Sequence, residues 1–165
     1  MIQQIKKEFE RRLKDENLRR IHLCLDKLDN STAWYSPNDQ VNSVANLVLH
    51  LSGNIQQYIH STFGNQEDNR TRSSEFSVYQ THSIQELKDI IEETIRGAVD
   101  IIHQQKEKDI LLDYNVQCFK ESGLSIIIHV IEHTSYHTGQ ITQMTKWLKN
   151  IDTQYYSNLN LDSTK

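Results

Sequence analysis

The sequence contains few of the residues that usually interrupt a chain made of short strands. It has one proline, Pro37, and five glycines among 165 residues. Proteins built of many strands need frequent turns, and turns are rich in these two residues. The composition therefore argues against an all-β fold and favours long, uninterrupted elements.

Cysteine is also scarce, with Cys24 and Cys118 as the two examples and no C-x-x-C motif. Two cysteines do not make the disulfide framework that is typical of small secreted proteins. The first twenty residues contain no apolar core of a secretory signal. We interpret both cysteines as reduced thiols and expect a cytoplasmic protein.

Long apolar runs and an excess of positive charge are missing as well. The densest apolar stretch, "LSIIIHVI", contains a histidine and is far shorter than the roughly 18 residues of a membrane helix. The formal net charge is −4, so no basic field is present to attract nucleic acid. We therefore expect neither a membrane nor nucleic acid as a partner.

Apolar residues do recur at helical spacing in four segments of the chain. The predicted helices span residues 2–29, 38–63, 83–108 and 124–150. Ser83 and Glu86 fit a capping box at the start of the third helix. A short extended piece is expected at 116–119, between the third and fourth helices.

The segment between the second and third helices, residues 65–82, is polar and has no helical period, so we expect a long loop. Four amphipathic helices of this length predict an all-α four-helix bundle. A long second loop permits a crossover that leaves two consecutive helices parallel. We expect a single domain at 1–150, followed by a polar tail at 151–165.

The stretch "HVIEHTSYHTGQI" places His129, His133 and His137 four residues apart on the fourth helix. On a helical projection centred on Val130, His137 lies inside the apolar stripe, His133 about 60° from its centre, and His129 near its boundary. The inward pair has two interpretations. The rings are core histidines with separate acceptors, or they share one metal ion, which would satisfy both at once.

A metal site needs a further ligand from another helix, and His50 is the best candidate. It lies in the middle of the second helix at the edge of the apolar stripe, with Asn46 and Asn54 one turn to either side. This polar stripe could line a cavity, whereas the alternative for His50 is an ordinary boundary position. Surface positions are expected for the other histidines considered: His60, His82 and His103.

Two other metal motifs are absent. An H-E-x-x-H zinc-protease helix would need glutamate where the chain has Thr134, and the chain has no paired Glu-x-x-His motifs of di-iron bundles. The pattern that remains is three nitrogen ligands with an open position, which is typical of a catalytic rather than a structural metal.

The segments "SVANLVLHLSGNIQQYI" and "HVIEHTSYHTGQITQM" resemble the DinB-like (YfiT-like) superfamily of bacterial four-helix-bundle metalloproteins. Within it the chain is similar to an uncharacterised branch with a loop like "DNRTRSSEF", and the resemblance spans residues 3–150. It implies an up-down-down-up bundle and a divalent ion, nickel, zinc or similar, held by His50, His133 and His137. His129 matches a recurrent histidine that is not usually a ligand. Homodimers are common in the superfamily, so a homodimer is expected.

Some members of that superfamily are S-transferases or isomerases that use thiols such as bacillithiol or mycothiol. Three neutral imidazoles leave the charge of a divalent ion uncompensated, and such an ion can deprotonate a coordinated thiol. Our leading hypothesis is therefore a metal-dependent thiol S-transferase acting on small electrophiles, with a low-molecular-weight thiol as cosubstrate. Asn46, Asn54 and Gln140 would line the substrate cavity, and Arg70 and Arg72 would bind the carboxylates of the thiol. The alternative for the arginines is a solvated polar loop, and for Gln140 a position on the helix surface.

Two other functions remain open. One is a metal-dependent hydrolase, which needs no thiol. The other is a non-catalytic, dimeric stress-response module that binds a metal or a small ligand, with the histidines kept as structure.

Overall fold

The computed structural model describes residues 1–77 and 79–163, and most of them are helical. Helix α1 spans residues 2–25 and contains a π-helical stretch, Arg11–Leu18; helix α3 spans 44–61 and ends in another, Gln56–Ser61. The remaining elements, in chain order, are α2 Asn30–Ala33 (before α3), α4 Ser74–Ser77, α5 Ile84–Gln104, α6 Glu107–Leu111, β1 Asp113–Val116, β2 Phe119–Ser122 and α7 Gly123–Lys149.

Four long helices build the core. Helices α1 and α3 each pack against both α5 and α7, and the apolar stripe of each helix faces this shared interior. Burying one such side chain stabilises the fold by about 1.5–3 kcal/mol relative to leaving it exposed. Fully buried examples from all four helices are Phe9, Leu13, Leu51, Ile55, Ile91, Ile95, Ile126 and Val130. Among the described helices, none is both long and apolar enough to cross a membrane.

The capping box predicted for the third helix is confirmed. The Ser83 hydroxyl accepts from the Glu86 backbone N–H at 3.3 Å, and the Glu86 carboxylate accepts from the Ser83 backbone N–H at 2.7 Å. The two side chains thus satisfy two donors that a helix start leaves unpaired.

Replacing Ser83 with alanine is expected to lower the free energy of unfolding by about 1 kcal/mol, because the cap of α5 is lost. Urea denaturation followed by circular dichroism measures this difference. Ser157→Ala, at an exposed position in the tail, is the matched control and should leave the midpoint unchanged. Equal midpoints for both variants would contradict the assigned cap.

The first predicted helix is too long at its carboxyl end. It was expected to reach residue 29, but α1 ends at Leu25, and Asp29 caps the short helix α2 instead. The Asp29 carboxylate accepts from the Thr32 backbone N–H at 2.9 Å. A side-chain cap at this position starts a new helix, and the apolar periodicity alone does not reveal the break.

The second predicted helix begins too early. It was expected to start near Asn38, but α3 begins at Val44, and the Ser43 hydroxyl accepts from the Asn46 backbone N–H at 3.1 Å. Asn38 instead accepts from the Gln40 backbone N–H at 2.9 Å in a local turn. Such side-chain turns compete with helix formation.

The 65–82 segment and the connection to the last helix hold more structure than expected. The segment contains the short helix α4, while Val78 lies outside the described residues. The extended piece predicted at 116–119 is the turn of an antiparallel hairpin, in which Asp113 pairs with Ser122. Gln117 adopts a left-handed conformation with φ of 55° at this turn. A small two-stranded sheet therefore accompanies the helices.

Two tyrosines dock part of the polar tail against α1 and α7. The Tyr155 hydroxyl lies 3.0 Å from Cys24 Sγ and 2.7 Å from Thr142 Oγ1. Arg20 donates from Nη2 to the Tyr156 hydroxyl at 2.6 Å. Cys24 is buried and Cys118 is exposed, and neither forms a disulfide.

Candidate metal centre

Three histidine rings from two helices meet at one point. His50 is presented by α3, and His133 and His137 are presented by adjacent turns of α7. The Nε2 atom of His133 lies 3.2 Å from Nε2 of His50 and 3.2 Å from Nε2 of His137. One ligand nitrogen from each of the three rings lies within 4.8 Å of the corresponding nitrogen of the other two. The structure therefore brings together the three histidines that the sequence singled out.

The spacing of these nitrogens matches that of ligands around one ion. Two nitrogens bound to a tetrahedral zinc at about 2.0–2.1 Å lie roughly 3.3 Å apart. The two short contacts at His133 Nε2 are 3.2 Å each. The rings thus stand close to where a shared cation would hold them.

The partners of the outer ring nitrogens show where the protons lie. Nδ1 of His50 is 2.8 Å from a carboxylate oxygen of Glu75, and Nδ1 of His137 is 2.6 Å from the amide oxygen of Gln140. Because both oxygens only accept, each Nδ1 carries the proton and each Nε2 presents a bare lone pair. This is the tautomer in which a histidine binds a metal through Nε2.

His133 cannot satisfy both neighbours by itself. It faces two bare Nε2 atoms, so at least one of the two 3.2 Å contacts contains no proton. Its Nδ1 is buried and has no partner among the described residues. Burial lowers the pKa of His133 to about 3, and the nearby rings of His137 and His50 contribute to this shift, so the ring is neutral near pH 7. A cation at the shared point would satisfy these lone pairs, and three neutral imidazoles suit zinc, nickel or a similar divalent ion.

Glu75, from α4, ties the 65–82 segment to the site. Arg70 donates from Nε to one carboxylate oxygen of Glu75 at 2.7 Å and from Nη2 to the other at 3.0 Å. Burial raises the pKa of the Glu75 carboxyl, but the hydrogen bonds from His50 and Arg70 outweigh it and hold that pKa below its usual value. The carboxylate is therefore ionised at neutral pH.

Glu75 is a residue of the site that was not predicted from the sequence. It follows His50 by 25 residues and lies in a polar segment without a helical or strand period. No periodic pattern relates such a residue to a face of α3. The one sequence signal was the loop "DNRTRSSEF", which carries part of the family resemblance and contains both Arg70 and Glu75. In the structure the adjacent Phe76 also packs at the site, with its ring centroid 4.9 Å from that of His50.

The two asparagines predicted to line a substrate cavity are both buried, 6% exposed at Asn46 and 4% at Asn54. Asn46 donates from Nδ2 to the backbone carbonyl of Glu75 at 2.9 Å, so it anchors α4 against α3. Asn54 Nδ2 lies 3.4 Å from Nε2 of His129. Both asparagines thus bond within the protein, beside the histidine cluster.

The other three predicted substrate-binding residues occupy different environments. The side chain of Arg70 is buried in its pair with Glu75 and does not extend into solvent. Arg72 is exposed, and its guanidinium carbon lies 5.2 Å from the centroid of the Phe76 ring. Gln140 is half-buried and borders an open cavity of about 280 Å³. Gln140 therefore connects a candidate ligand, through its hydrogen bond, to a space that a small molecule could enter.

His129 adjoins the cluster but does not join it. Its ring stacks on Tyr58 at 4.3 Å and on His133 at 5.3 Å between centroids. Burial lowers the pKa of His129. Three histidines that the sequence assigned to the surface also lie outside the cluster. His60 and His82 are half-buried, and His103 is exposed.

A family model described as "Protein of unknown function (DUF1572)" matches residues 2–160 of the chain. The comparison with curated proteins found no match.

The solved structures that are similar include three with 16% sequence identity each. A DinB-like protein from Bacillus cereus ATCC 10987 has a TM-score of 0.64, covering 80% of this chain and 85% of that one. The DinB-like protein YjoA from Bacillus subtilis has a TM-score of 0.68, covering 93% and 96%. A conserved protein from Enterococcus faecalis has a TM-score of 0.70, covering 92% and 98%. At this identity the likeness establishes the DinB-like fold and nothing about activity.

Proposed function

The chain belongs to the DUF1572 family of unknown function, and we propose that it is a divalent-metal-dependent enzyme whose ion is held by His50, His133 and His137. The observation that carries this proposal is the pair of 3.2 Å contacts between Nε2 atoms, at least one of which has no proton. We also propose that the four long helices form an up-down-down-up bundle. The long segment between α3 and α5, and the packing of α1 and α3 on both α5 and α7, support that topology.

When bound, a divalent ion with three neutral ligands keeps its full charge and acts as a Lewis acid that favours the ionised form of a thiol or water. The residues of the chain prepare this site. Glu75 and Gln140 hold two of the rings with Nε2 unprotonated, and burial keeps His133 neutral. Two of the three ligand nitrogens, Nε2 of His50 and Nε2 of His137, thus present free lone pairs to a cation.

The reaction that we propose is transfer of a low-molecular-weight thiol of the bacillithiol type to a small electrophile. The thiol proton passes to solvent, the sulfur forms a bond to the electrophilic carbon, and the leaving group departs with its bonding electrons. Arg72 is exposed and lies over the ring of Phe76, which in turn packs on His50, so its guanidinium is suited to bind a carboxylate of the thiol. The open cavity beside Gln140, bordered also by Leu47 and Met144, would hold the electrophile.

Conjugation assays test this function directly. Protein loaded with Zn²⁺ or Ni²⁺ is expected to join bacillithiol to a model electrophile such as 1-chloro-2,4-dinitrobenzene, followed by absorbance. His137→Ala should abolish the conjugation, because the site loses a ligand, whereas His103→Ala, at an exposed position, should retain it. A metal-loaded protein that conjugates none of a panel of small thiols would remove S-transfer as the function.

The same three-nitrogen donor set also fits metal-dependent hydrolysis, which requires no thiol. Turnover of ester or amide substrates in thiol-free buffer would identify this activity, since S-transfer stops without its cosubstrate. A protein that binds the ion tightly but turns over in neither assay would fit a non-catalytic binding module.

We further propose that the protein is a cytoplasmic homodimer acting on a small molecule. An exposed aromatic pair offers a surface for a second copy: Tyr35 and Trp147 are 44% and 59% exposed, with ring centroids 6.3 Å apart. Light scattering of the purified protein would measure the mass in solution.

A further inference from the structure

The segment that covers His50 makes a specific, buried contact with the ring nitrogen opposite the candidate metal. The Glu75 carboxylate lies 2.8 Å from Nδ1 of His50. The side chains of His50 and Arg70 are both 5% exposed, and that of Glu75 is 10% exposed. The charged groups of Arg70 and Glu75 are therefore both buried, and one oxygen of Glu75 contacts Nδ1 of His50.

The proton at this contact can be assigned from the geometry. Arg70 Nη2 also lies 3.2 Å from Nδ1 of His50, and an arginine only donates. Nδ1 cannot both accept from Arg70 and donate to Glu75. The shorter contact, to an ionised carboxylate that only accepts, places the proton on Nδ1, and Arg70 Nη2 then donates to Glu75 at 3.0 Å.

Helix α3 leaves space for the Glu75 carboxylate and holds the residues around it. A Cβ added at Gly53 would collide with the Glu75 carboxylate and lie 3.1 Å from Arg70 Nε. Gln57, one turn further along α3, accepts from Arg70 Nη1 at 2.9 Å. On the other side Asn46 holds the backbone of Glu75. Four residues thus fix the orientation of the Glu75 carboxylate, directly or through Arg70: Asn46, Gly53, Gln57 and Arg70.

The arginine also balances the charge. Glu75 carries one negative charge close to the candidate ion, and the forked contact with Arg70 supplies one positive charge to the same carboxylate. The pair therefore orients His50 without adding net charge to the site.

We infer that Glu75 is a positioning residue for the metal centre: its carboxylate, neutralised by Arg70, keeps His50 with the proton on Nδ1 and the Nε2 lone pair directed at the shared ion. This inference rests on the proposed function, because it assigns Glu75 a role toward the same ion. A purely structural role, in which the pair only pins the 65–82 segment to α3, is the competing explanation.

Two variants separate these explanations. In Glu75→Gln, Arg70 still requires an acceptor, so the amide oxygen turns to Arg70 and the amide NH₂ faces His50. His50 Nδ1 must then accept, and the proton moves to Nε2, which can no longer bind an ion. In Glu75→Leu combined with Arg70→Met, no buried charge is left unpaired, so the fold is retained, but His50 loses its orienting partner.

The experiment measures the dissociation constant of Zn²⁺ by chelator competition and the His50 tautomer by imidazole ¹⁵N chemical shifts. Both variants are expected to bind Zn²⁺ about 10–100-fold more weakly than the wild type, the usual effect of losing such a partner. In Glu75→Gln the His50 proton should move to Nε2. Glu67→Gln, at an exposed position of the same segment, is the matched control and should bind like the wild type.

The outcomes are distinct. If the double variant melts like the wild type without metal yet binds Zn²⁺ within about threefold of it, the positioning role is overturned. An unchanged His50 tautomer in Glu75→Gln would overturn it as well. If the wild type itself binds no Zn²⁺, the proposed metal function fails, and this inference falls with it.

Discussion

Replacing His133 with alanine is expected to abolish the thermal stabilisation that Zn²⁺ or Ni²⁺ confers on chelator-stripped protein. An ion that binds only the folded state stabilises it by about 2.7 kcal/mol at a hundredfold excess over its dissociation constant. In a domain of this size that corresponds to a rise in melting temperature of roughly 5–10 °C. His133 carries the largest effect because its Nε2 contacts both other candidate ligands at 3.2 Å.

Differential scanning fluorimetry, with and without added ion, measures this rise for the wild type and each variant. His103→Ala is the matched control: His103 is exposed and bonds Glu10 at 2.9 Å, away from the cluster. It should show the full rise. An undiminished rise in His133→Ala would mean that the ion binds at another place, and the three-histidine centre would have to be abandoned.

Replacing Arg70 with methionine is expected to lower the free energy of unfolding of the metal-free protein by about 3–5 kcal/mol. Removing one partner of a buried ion pair leaves the other charge buried and uncompensated, and this is the usual cost. The Glu75 side chain is 10% exposed and that of Arg70 is 5% exposed, so solvent screens the pair little. The hydrogen bond between His50 and Glu75 survives the change, which favours the lower end of the range.

Urea denaturation of the metal-free protein measures the loss. Arg72→Met is the control two residues away, at an exposed guanidinium, and should cost within about 0.5 kcal/mol. Adding Glu75→Leu to Arg70→Met should recover most of the lost stability, because no buried charge then remains unpaired. A cost for Arg70→Met no greater than that for Arg72→Met would show that the buried pair does not stabilise the fold.

The parts of the fold that could be predicted are those set by local spacing. The capping box of Ser83 and Glu86 was located from its own residues, and α7 begins and ends within a residue of the predicted bounds. The carboxyl end of α1 and the start of α3 were misplaced. A side-chain cap at Asp29 and a side-chain turn at Asn38 set these boundaries, and apolar periodicity contains no information on either.

In the candidate site, too, the residues related by local spacing could be predicted, and those brought together by packing could not. His133 and His137 could be placed side by side because residues four apart share one face of any helix. His50 was proposed from its polar neighbours, and its meeting with the other two became visible only when α3 and α7 packed together. Arg70 was expected to bind a substrate carboxylate, whereas in the fold it binds the carboxylate of Glu75.

By itself the sequence determined four amphipathic helices and an inward pair of histidines, because both follow from the 3.6-residue period of a helix. Only the tertiary structure decided that Glu75 orients His50. That contact joins residues 25 positions apart, and the second of them lies in an aperiodic segment. It also requires glycine at position 53, because a side chain there would collide with the Glu75 carboxylate. Neither spacing nor composition encodes such a contact, because it arises from the packing of one backbone against another.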